Sequence, residues 1–378
     1  MNILVVSEFG LYGELSCSFV HSQTREYAAQ GHRVRVIIPN GVGKVGRKGG
    51  RIEKPLLISQ IDGVELYDLR YVTLSKYGSK YFNTNSAIAA VRLQWNRIFK
   101  DFKPDVIHAH TLGFDSEIGA WIKKKLGCPL VVTTHGSDTN VPLEKGQTDL
   151  LKTCCDHADA VVAVSNQLKE RLKTCGTHTP ITAIYNGFVQ YPRPANVVRN
   201  PYSMIQVSNL IPIKRVDVTI RAFAKLREKW PEMTLTVVGD GPLRTSLEEL
   251  CQQLGVSGSV RFLGQLPNEE VFVRLCESTF FVMVSKPEGF GIVYLEAMAA
   301  GCIAIGTEGQ GIADLIDHGV NGFLVPADEA DRVAELVDHC LREPESAGKI
   351  AAEGQKCASA LTWDKNVAEY LKIFKQLK

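Results

Sequence analysis

Two glutamates, Glu288 and Glu296, lie eight positions apart on either side of a short segment rich in glycine. Proline and glycine residues disfavour a helix around Glu288, whereas residues 292–300 are apolar or small and favour one. The sequence therefore predicts a helix that begins near Phe290 or Gly291, with one glutamate before its start and the other inside it.

This arrangement could bind a phosphorylated sugar. The start of a helix exposes unpaired N–H groups and the positive end of the helix dipole, which attract a diphosphate. Glu296 would lie roughly 8 to 9 Å along the axis at about 1.5 Å per residue. Carboxylates accept hydrogen bonds from vicinal hydroxyls, so one could hold a hexose and the other a ribose. The competing interpretation is an exposed loop glutamate and an ordinary helix glutamate.

Further candidates follow predicted strands. Lys214 could neutralise charge on a leaving diphosphate, with Arg215 as its neighbour. Gly239, in a Gly-Asp-Gly-Pro turn, would let the backbone approach a ligand or pack closely. His135 could contact a sugar hydroxyl or a phosphate oxygen, and Asp138 could either orient it or cap a helix. A zinc or iron site could also form from three histidines and one aspartate, namely His108, His110, His135 and Asp138. No further cluster of ligand residues supports such a site.

Short runs rich in Val, Ile and Leu alternate with amphipathic segments, which predicts parallel sheets covered by helices. Two doubly wound domains are expected to face a central cleft, where the carboxyl ends of their strands would form the ligand site. The boundaries are residues 1–188, a turn-rich linker at 189–200, and residues 201–362. The helix within 363–378 is expected to cross back onto the first domain. Predicted strands in the first half are 2–6, 34–38, 64–69, 106–109, 130–134, 160–163 and 181–185, with helices at 18–30 and 86–102. In the second half, strands are predicted at 203–207, 234–238, 260–263, 280–284, 302–306 and 323–324.

The composition indicates a globular protein with a formal net charge of only +2, which argues against nucleic acid as a partner. Residues 1–190 carry 23 Lys and Arg against 17 Asp and Glu, a net charge of +6. This excess and the basic segment 41–54 would permit a peripheral contact with an anionic membrane at its inner face. Ten scattered cysteines, no apparent signal peptide and no long apolar stretch predict a cytoplasmic protein.

The chain resembles glycosyltransferase family 4, retaining enzymes of the GT-B fold. The matching segments are Glu288-x7-Glu296 within PEGFGIVYLEAMAAG, together with VVGDGP, VRFLGQL, HGSD, HADAVVAVS, IYNG and NGFLVP. The resemblance implies that Lys214, Glu288 and His135 are catalytic. It also implies a donor site for a UDP- or GDP-linked sugar and an acceptor side. The donor set is Glu296, Gly289, Phe290, Gly291, Ile292, Asn209, Arg215, Gly239, Phe262 and Leu263, and the acceptor set is Gly13, His110 and Asp138.

Two positions depart from the family pattern. Many members have arginine where this chain has Asn209, so diphosphate binding would depend more on Lys214. Many members also have paired glycines after the first strand, whereas Gly10 and Gly13 are isolated here. Because that loop shapes the acceptor side, the acceptor does not follow from the resemblance.

Together with this resemblance, the sequence predicts a retaining hexosyltransferase that needs no metal and no cofactor besides the nucleotide sugar. Its acceptor would be a sugar, a lipid-linked molecule or a small molecule, in the synthesis of a bacterial cell-surface polysaccharide or glycolipid. Another GT-B enzyme, such as an epimerase or phosphorylase, and a protein that binds sugar nucleotides without catalysis remain alternatives. A dinucleotide oxidoreductase is disfavoured because no strand is followed by G-x-G-x-x-G.

Overall fold

The computed structural model describes residues 1–7, 18–43, 54–73 and 80–378. The chain divides into two compact units, one of residues 1–187 with 363–378 and the other of residues 188–362. None of the helices in the described ranges is long and apolar enough to cross a membrane.

The first unit contains an eight-stranded sheet in the order β3-β4-β2-β1-β5-β6-β7-β8. Its strands are β1 (Asn2–Val6), β2 (Arg33–Gly43), β3 (Leu56–Ile61), β4 (Val64–Thr73), β5 (Val106–Ala109), β6 (Leu130–Thr134), β7 (Ala160–Ala163) and β8 (Ile181–Ala183). Its helices are α1 (Ser18–Ala29), α2 (Lys80–Leu93), α3 (Trp95–Phe99), α4 (Phe114–Leu126), α5 (Ser137–Glu144), α6 (Thr148–Asp156) and α7 (Asn166–Lys173). Side chains alternate between the two faces of β1, with Ile3 and Val5 in one hydrophobic cluster and Leu4 and Val6 in another. The sheet is therefore covered on both faces, as predicted.

Strand β3 was not predicted, and it pairs antiparallel with β4 at the edge of an otherwise parallel sheet. Leu56 is its one buried residue, whereas Ile58 is 50% exposed. With a single buried position, the strand lacks the alternation of apolar and polar residues by which a half-buried strand is predicted.

The single helix predicted over residues 86–102 was wrong. Gln94 leaves the helical conformation (φ −100°, ψ 9°) and separates α2 from α3. Ile98 of α3 is fully buried, whereas Leu93 at the end of α2 is 82% exposed. The apolar residues of the predicted helix therefore belong to two separate helices.

The second unit contains a six-stranded parallel sheet in the order β11-β10-β9-β12-β13-β14. Its strands are β9 (Ser203–Val207), β10 (Thr234–Val238), β11 (Val260–Gly264), β12 (Phe280–Val282), β13 (Ile303–Thr307) and β14 (Phe323–Val325). Its helices are α8 (Val216–Lys229), α9 (Arg244–Gln253), α10 (Asn268–Glu277), α11 (Ile292–Ala299), α12 (Ala330–Arg342) and α13 (Pro344–Ser359). All six predicted strands of this half are confirmed.

The segment interpreted as a linker is bound to the second unit. Arg199 donates to the carbonyls of Ser278 and Gly301 at 2.7 and 2.5 Å and also bonds the carbonyl of Ala300. These last two carbonyls follow α11, so Arg199 satisfies acceptors at the carboxyl end of that helix.

The last helix, α14 (Trp363–Gln376), packs in the first unit. Oδ1 of Asn366 accepts a hydrogen bond from Gln23, and its Nδ2 donates to the carbonyl of Tyr185. Tyr370 and Phe374 are buried in the same hydrophobic cluster as Val5. The chain therefore returns to the first unit after completing the second.

Candidate active site

Lys214 ends a short 3-10 turn, Pro212–Lys214, that follows β9. Its carbonyl accepts a hydrogen bond of 2.8 Å from Nε2 of Gln206, a fully buried side chain. Arg215 closes the turn in the left-handed conformation (φ 48°), and α8 begins at the next residue. Nζ of Lys214 donates to Oε2 of Glu288 at 2.5 Å, and the two side chains are 19% and 12% exposed. The structure therefore brings two of the predicted catalytic residues into one ion pair.

The backbone around Glu288 is held at several points. The N–H of Lys286 donates to the carbonyl of Ile213 at 2.8 Å, which joins this loop to the turn that carries Lys214. The N–H of Glu288 donates to Oε1 of Gln310 at 2.8 Å. The carbonyl of Glu288 accepts from the N–H of Gly311 at 3.3 Å. Both the N–H and the carbonyl of Glu288 are therefore hydrogen-bonded.

Gln310 is a site residue that was not among the predicted ones. Its side chain is 8% exposed, and its Nε2 donates to the carbonyl of Gly309 at 3.0 Å, which fixes the orientation of the amide. A Cβ on Gly311 would lie 1.9 Å from the carbonyl oxygen of Gly289, so this contact requires glycine. The available signal was a glutamine inside the glycine-rich segment 306–311.

Helix α11 begins one or two residues later than predicted. Gly291 is its N-cap residue in the left-handed conformation (φ 80°), and a Cβ there would lie 2.8 Å from the ring of Tyr294. The Tyr294 hydroxyl donates to the carbonyl of Met283, which fixes the ring beneath the helix start. Within the described residues, the N–H groups of Ile292 and Val293 have no hydrogen-bond partner. These two donors are available to an anion.

Glu296 lies one turn further along α11. Burial raises the pKa of its carboxyl to about 7, although part of its surface stays accessible. No hydrogen bond or ion pair to this carboxylate occurs in the part of the chain that the structure describes. An unpaired, half-buried carboxylate is unfavourable unless a ligand donates to it.

The other predicted donor residues lie in neighbouring loops. A Cβ on Gly239 would lie 1.9 Å from the carbonyl oxygen of Ser208, so this glycine permits close packing of two loops of the protein. Asn209, in the same pair of loops, is exposed. At the end of β11 Phe262 is half-buried, and Leu263 is 37% exposed. No hydrogen bond or ion pair joins these residues to Lys214 or Glu288 in the described structure.

Arg215 points elsewhere. Its Nη2 pairs with Oδ1 of Asp328 at 2.8 Å, and both side chains are well exposed. An exposed pair of this kind contributes little to stability. Lys214 is therefore the cation that the structure associates with Glu288.

In the first unit, His135 follows β6 and lies beside His110. Nδ1 of His110 and Nε2 of His135 are 3.2 Å apart, and the rings stack at 5.4 Å. Burial lowers the pKa of His135 to about 3 and the pKa of His110 well below its usual value. Both imidazoles are therefore neutral at physiological pH, and one donates the shared hydrogen bond to the other.

Asp138 binds backbone around His135. One carboxylate oxygen accepts from the N–H groups of His135 and Gly136 at 3.0 Å, and the other accepts from the N–H of Leu112 at 2.9 Å. Its carboxylate does not bond the His135 ring among these contacts. These contacts fit the turn interpretation of Asp138. The helix-cap interpretation was wrong, because Asp138 lies inside α5, its N-cap residue is Gly136 and no side chain caps it.

Gly13 lies outside the described residues, as does most of the basic segment 41–54. Within the residues that the structure does describe, His, Cys, Asp and Glu side chains do not form a group of three able to hold a metal ion.

Family models match both units of the chain. Residues 18–189 match Glycosyltransferase Family 4, and residues 190–357 match Glycosyl transferases group 1. N-acetyl-alpha-D-glucosaminyl L-malate synthase of Bacillus anthracis is 30% identical over 256 residues, 64% of this chain and 66% of that protein. A GDP-mannose-dependent alpha-(1-6)-phosphatidylinositol monomannoside mannosyltransferase of Mycolicibacterium smegmatis is 27% identical over 61% of this chain and 65% of its own length. The match spans just under two thirds of each of these relatives.

Solved structures share the fold. Sucrose-phosphate synthase of Thermosynechococcus elongatus superposes with a TM-score of 0.81 at 18% identity, covering 100% of this chain and 99% of that one. HepE of Anabaena, in complex with UDP-glucose, gives a TM-score of 0.72 at 20% identity and covers 98% and 99%. The matches to both halves and the two α/β units agree: the chain belongs to glycosyltransferase family 4 and has the GT-B fold.

Proposed function

We propose that this glycosyltransferase moves a hexose from a UDP- or GDP-linked donor to an acceptor hydroxyl with retention of anomeric configuration. The observation that carries the proposal is the Lys214–Glu288 ion pair, because it holds an ammonium and a carboxylate together on loops fixed by backbone hydrogen bonds. A diphosphate needs the cation, and a sugar hydroxyl needs the acceptor.

Lys214 is proposed to stabilise the leaving diphosphate. An ammonium has three N–H donors, and Glu288 accepts from one of them. The other two can donate to phosphate oxygens, where negative charge grows as the glycosidic bond breaks. The free N–H groups of Ile292 and Val293 would add to this stabilisation at the start of α11.

Glu288 is proposed to contact the donor sugar, and the backbone of Gly289 to Gly291 would contact the sugar and the phosphate. Glu296 is proposed to bind the ribose, since a vicinal diol supplies two O–H donors to a carboxylate that has no partner in the described structure. Phe262 and Leu263 would border the base, and Gly239 would let the backbone approach the nucleotide closely. Asn209 and Arg215 would lie beside the diphosphate as secondary contacts.

His135 is proposed as a neutral hydrogen-bonding group for a sugar hydroxyl, with His110 on the acceptor side. A charged imidazolium is disfavoured at both positions by burial. His135 therefore would not act as a general acid that is protonated in the resting enzyme.

Retention is proposed to occur by front-face displacement, in which the departing phosphate accepts the proton of the attacking hydroxyl. The bond from the anomeric carbon to the phosphate oxygen breaks, the bond to the acceptor oxygen forms on the same face, and the nucleoside diphosphate leaves with the proton. Lys214 and the helix N–H groups supply positive charge, so a metal would be dispensable. Loss of activity with a chelator and recovery with a divalent ion would overturn this part.

The choice of donor is supported by relatives and neighbours. One relative is described as GDP-mannose-dependent, and HepE was solved with UDP-glucose. The phosphatidylinositol mannoside and L-malate in the names of relatives support a lipid-linked or small-molecule acceptor. We propose that the acceptor belongs to a cell-surface polysaccharide or glycolipid.

A thermal-unfolding panel of UDP- and GDP-sugars would test the donor, because a ligand that binds only the folded protein raises its stability. Proton NMR of the transfer product would then give the anomeric configuration. Conversion of the nucleotide sugar alone to an isomer would instead identify an epimerase.

A further inference from the structure

A cavity of about 470 Å³ lies among α2, α3 and α4 of the first unit. Its lining comprises Asn85, Ile88, Ala89, Arg92, Trp95, Trp121 and Lys125. The volume falls within the range of small-molecule sites. None of these residues belongs to the candidate active site.

The topology of the sheet places the cavity and the His135 loop toward opposite ends of its strands. Helix α3 leads to the start of β5, and the end of α4 leads to the start of β6. His135 follows the carboxyl end of β6. Because β5 and β6 are parallel, their carboxyl ends lie together, opposite their amino ends. The cavity therefore lies toward the amino ends of the strands.

Two indole rings form one wall of the cavity. Trp95 and Trp121 meet edge to face with their ring centroids 5.7 Å apart. Both are half-buried and pack against the hydrophobic core, and Phe99 lies 4.2 Å from the Trp95 ring. Rings anchored in this way offer a rigid apolar surface at little cost in conformational entropy.

All the ionisable groups that line the cavity are cationic. Nζ of Lys125 lies 5.9 Å from the centroid of the Trp121 ring. Neither Arg92 nor Lys125 has a carboxylate partner in the described ranges, whereas neighbouring Lys123 pairs with Asp159 at 2.8 Å. The exposed amide of Asn85 supplies a further polar group at the rim. The cavity thus combines unneutralised positive charge with aromatic surface.

We propose that this cavity binds an anionic saccharide, such as a chain that contains uronic acids. The indole rings would pack on the apolar face of a pyranose, Arg92 and Lys125 would bind its carboxylates, and Asn85 would bond a hydroxyl. This binding site goes beyond the proposed transfer reaction and does not depend on it.

The test measures binding of tetragalacturonate to the full chain by tryptophan fluorescence and by calorimetry. We expect saturable binding that weakens with salt, and binding of neutral maltotetraose at least about ten-fold weaker. The double substitution Arg92→Glu and Lys125→Glu should weaken tetragalacturonate binding by at least about ten-fold. Both side chains are exposed, so thermal unfolding should be unchanged.

Lys124→Glu is the matched control, because Lys124 is exposed on the same helix but does not line the cavity. It should leave the affinity for tetragalacturonate within about two-fold of the parent. Equal binding of maltotetraose, or equal loss in the control and the double variant, would overturn the proposal. Absence of tetragalacturonate binding would also overturn the proposal. If anionic vesicles then bound through Arg92 and Lys125, the surface would be assigned to a membrane.

Discussion

The ammonium of Lys214 and the carboxylate of Glu288, 74 positions apart in the sequence, form a hydrogen-bonded ion pair of 2.5 Å. Both side chains are largely withdrawn from solvent. Removing either partner leaves a charge with reduced solvation, which costs more than an exposed pair contributes. The pair is therefore expected to affect both the stability of the second unit and its chemistry.

Replacing Glu288 tests the carboxylate. The Glu288 carboxylate accepts from Lys214 and, in the proposal, from the sugar. Glu288→Gln keeps the shape of the side chain but replaces this carboxylate with a neutral amide. We expect the rate of transfer to fall by roughly 10²-fold. Initial rates with the donor identified by thermal unfolding provide the measurement. Glu232→Gln, at an exposed position, should retain the parent rate, and an equally active Glu288→Gln would rule out the assigned role.

Gln310 provides a test of positioning. Gln310→Leu removes the acceptor of the Glu288 N–H, so we expect kcat to fall by about ten-fold with a smaller change in KM. Gln310→Glu retains an acceptor oxygen and should restore part of kcat. Steady-state kinetics of both variants, with circular dichroism to check the fold, separate these outcomes. Equal kcat values for the two variants would show that the hydrogen bond does not matter.

Removing the charge of Glu296 should make the protein more stable. Its pKa is about 7 in the folded protein against an ordinary value of 4.5, so the folded state binds more protons between these two pH values. Stability therefore falls as pH rises through this window, by at most about 3 kcal/mol. Glu296→Gln should raise the melting temperature at pH 8 and change it little at pH 4.5.

Thermal unfolding across pH measures this effect, with Glu232→Gln as the exposed control. If Glu296 binds the ribose, the same Glu296→Gln variant should lose affinity for the nucleotide sugar. A variant with unchanged stability at both pH values would contradict the burial of the carboxylate, and unchanged donor affinity would contradict the ribose contact.

The buried histidines have the opposite effect on stability. Burial lowers the pKa of His108 to about 3 from its ordinary value of 6.5, so the unfolded state binds more protons between these two pH values. Stability should therefore fall as pH is lowered from about 6.5. His108→Gln, which can still bond Thr133, should make this loss shallower, whereas exposed His178→Gln should not. Urea denaturation at pH 5 and pH 7.5 gives the comparison, and identical pH dependence in His108→Gln and the parent would refute it.

Much of the fold could be predicted because buried strands of parallel sheets are short apolar runs. Strands such as β5 and β10 have the predicted bounds, and the GT-B fold is confirmed. Strand β3 was missed because an edge strand has only one buried residue here. The break at Gln94 was missed because no proline or glycine marks it in the sequence.

The site was predicted less completely. Residue type and spacing pointed to Lys214 and Glu288, and the structure brings them into contact. Spacing could not identify Gln310, since its role depends on a loop that meets Glu288 only in the folded unit. Nor could it show that Arg215 pairs with Asp328. The roles of the site residues, and a cytoplasmic location, stay predictions.

The affinity of Lys214→Ala for the nucleotide sugar tests whether the Lys214 ammonium binds the diphosphate of the donor. Calorimetric titration of UDP-glucose and GDP-mannose into the parent protein, Lys214→Ala and the exposed control Lys349→Ala gives the three dissociation constants. We predict that one of the two donors binds the parent and Lys349→Ala equally and binds Lys214→Ala at least about ten-fold more weakly. Equal affinity of that donor for all three proteins would contradict the account.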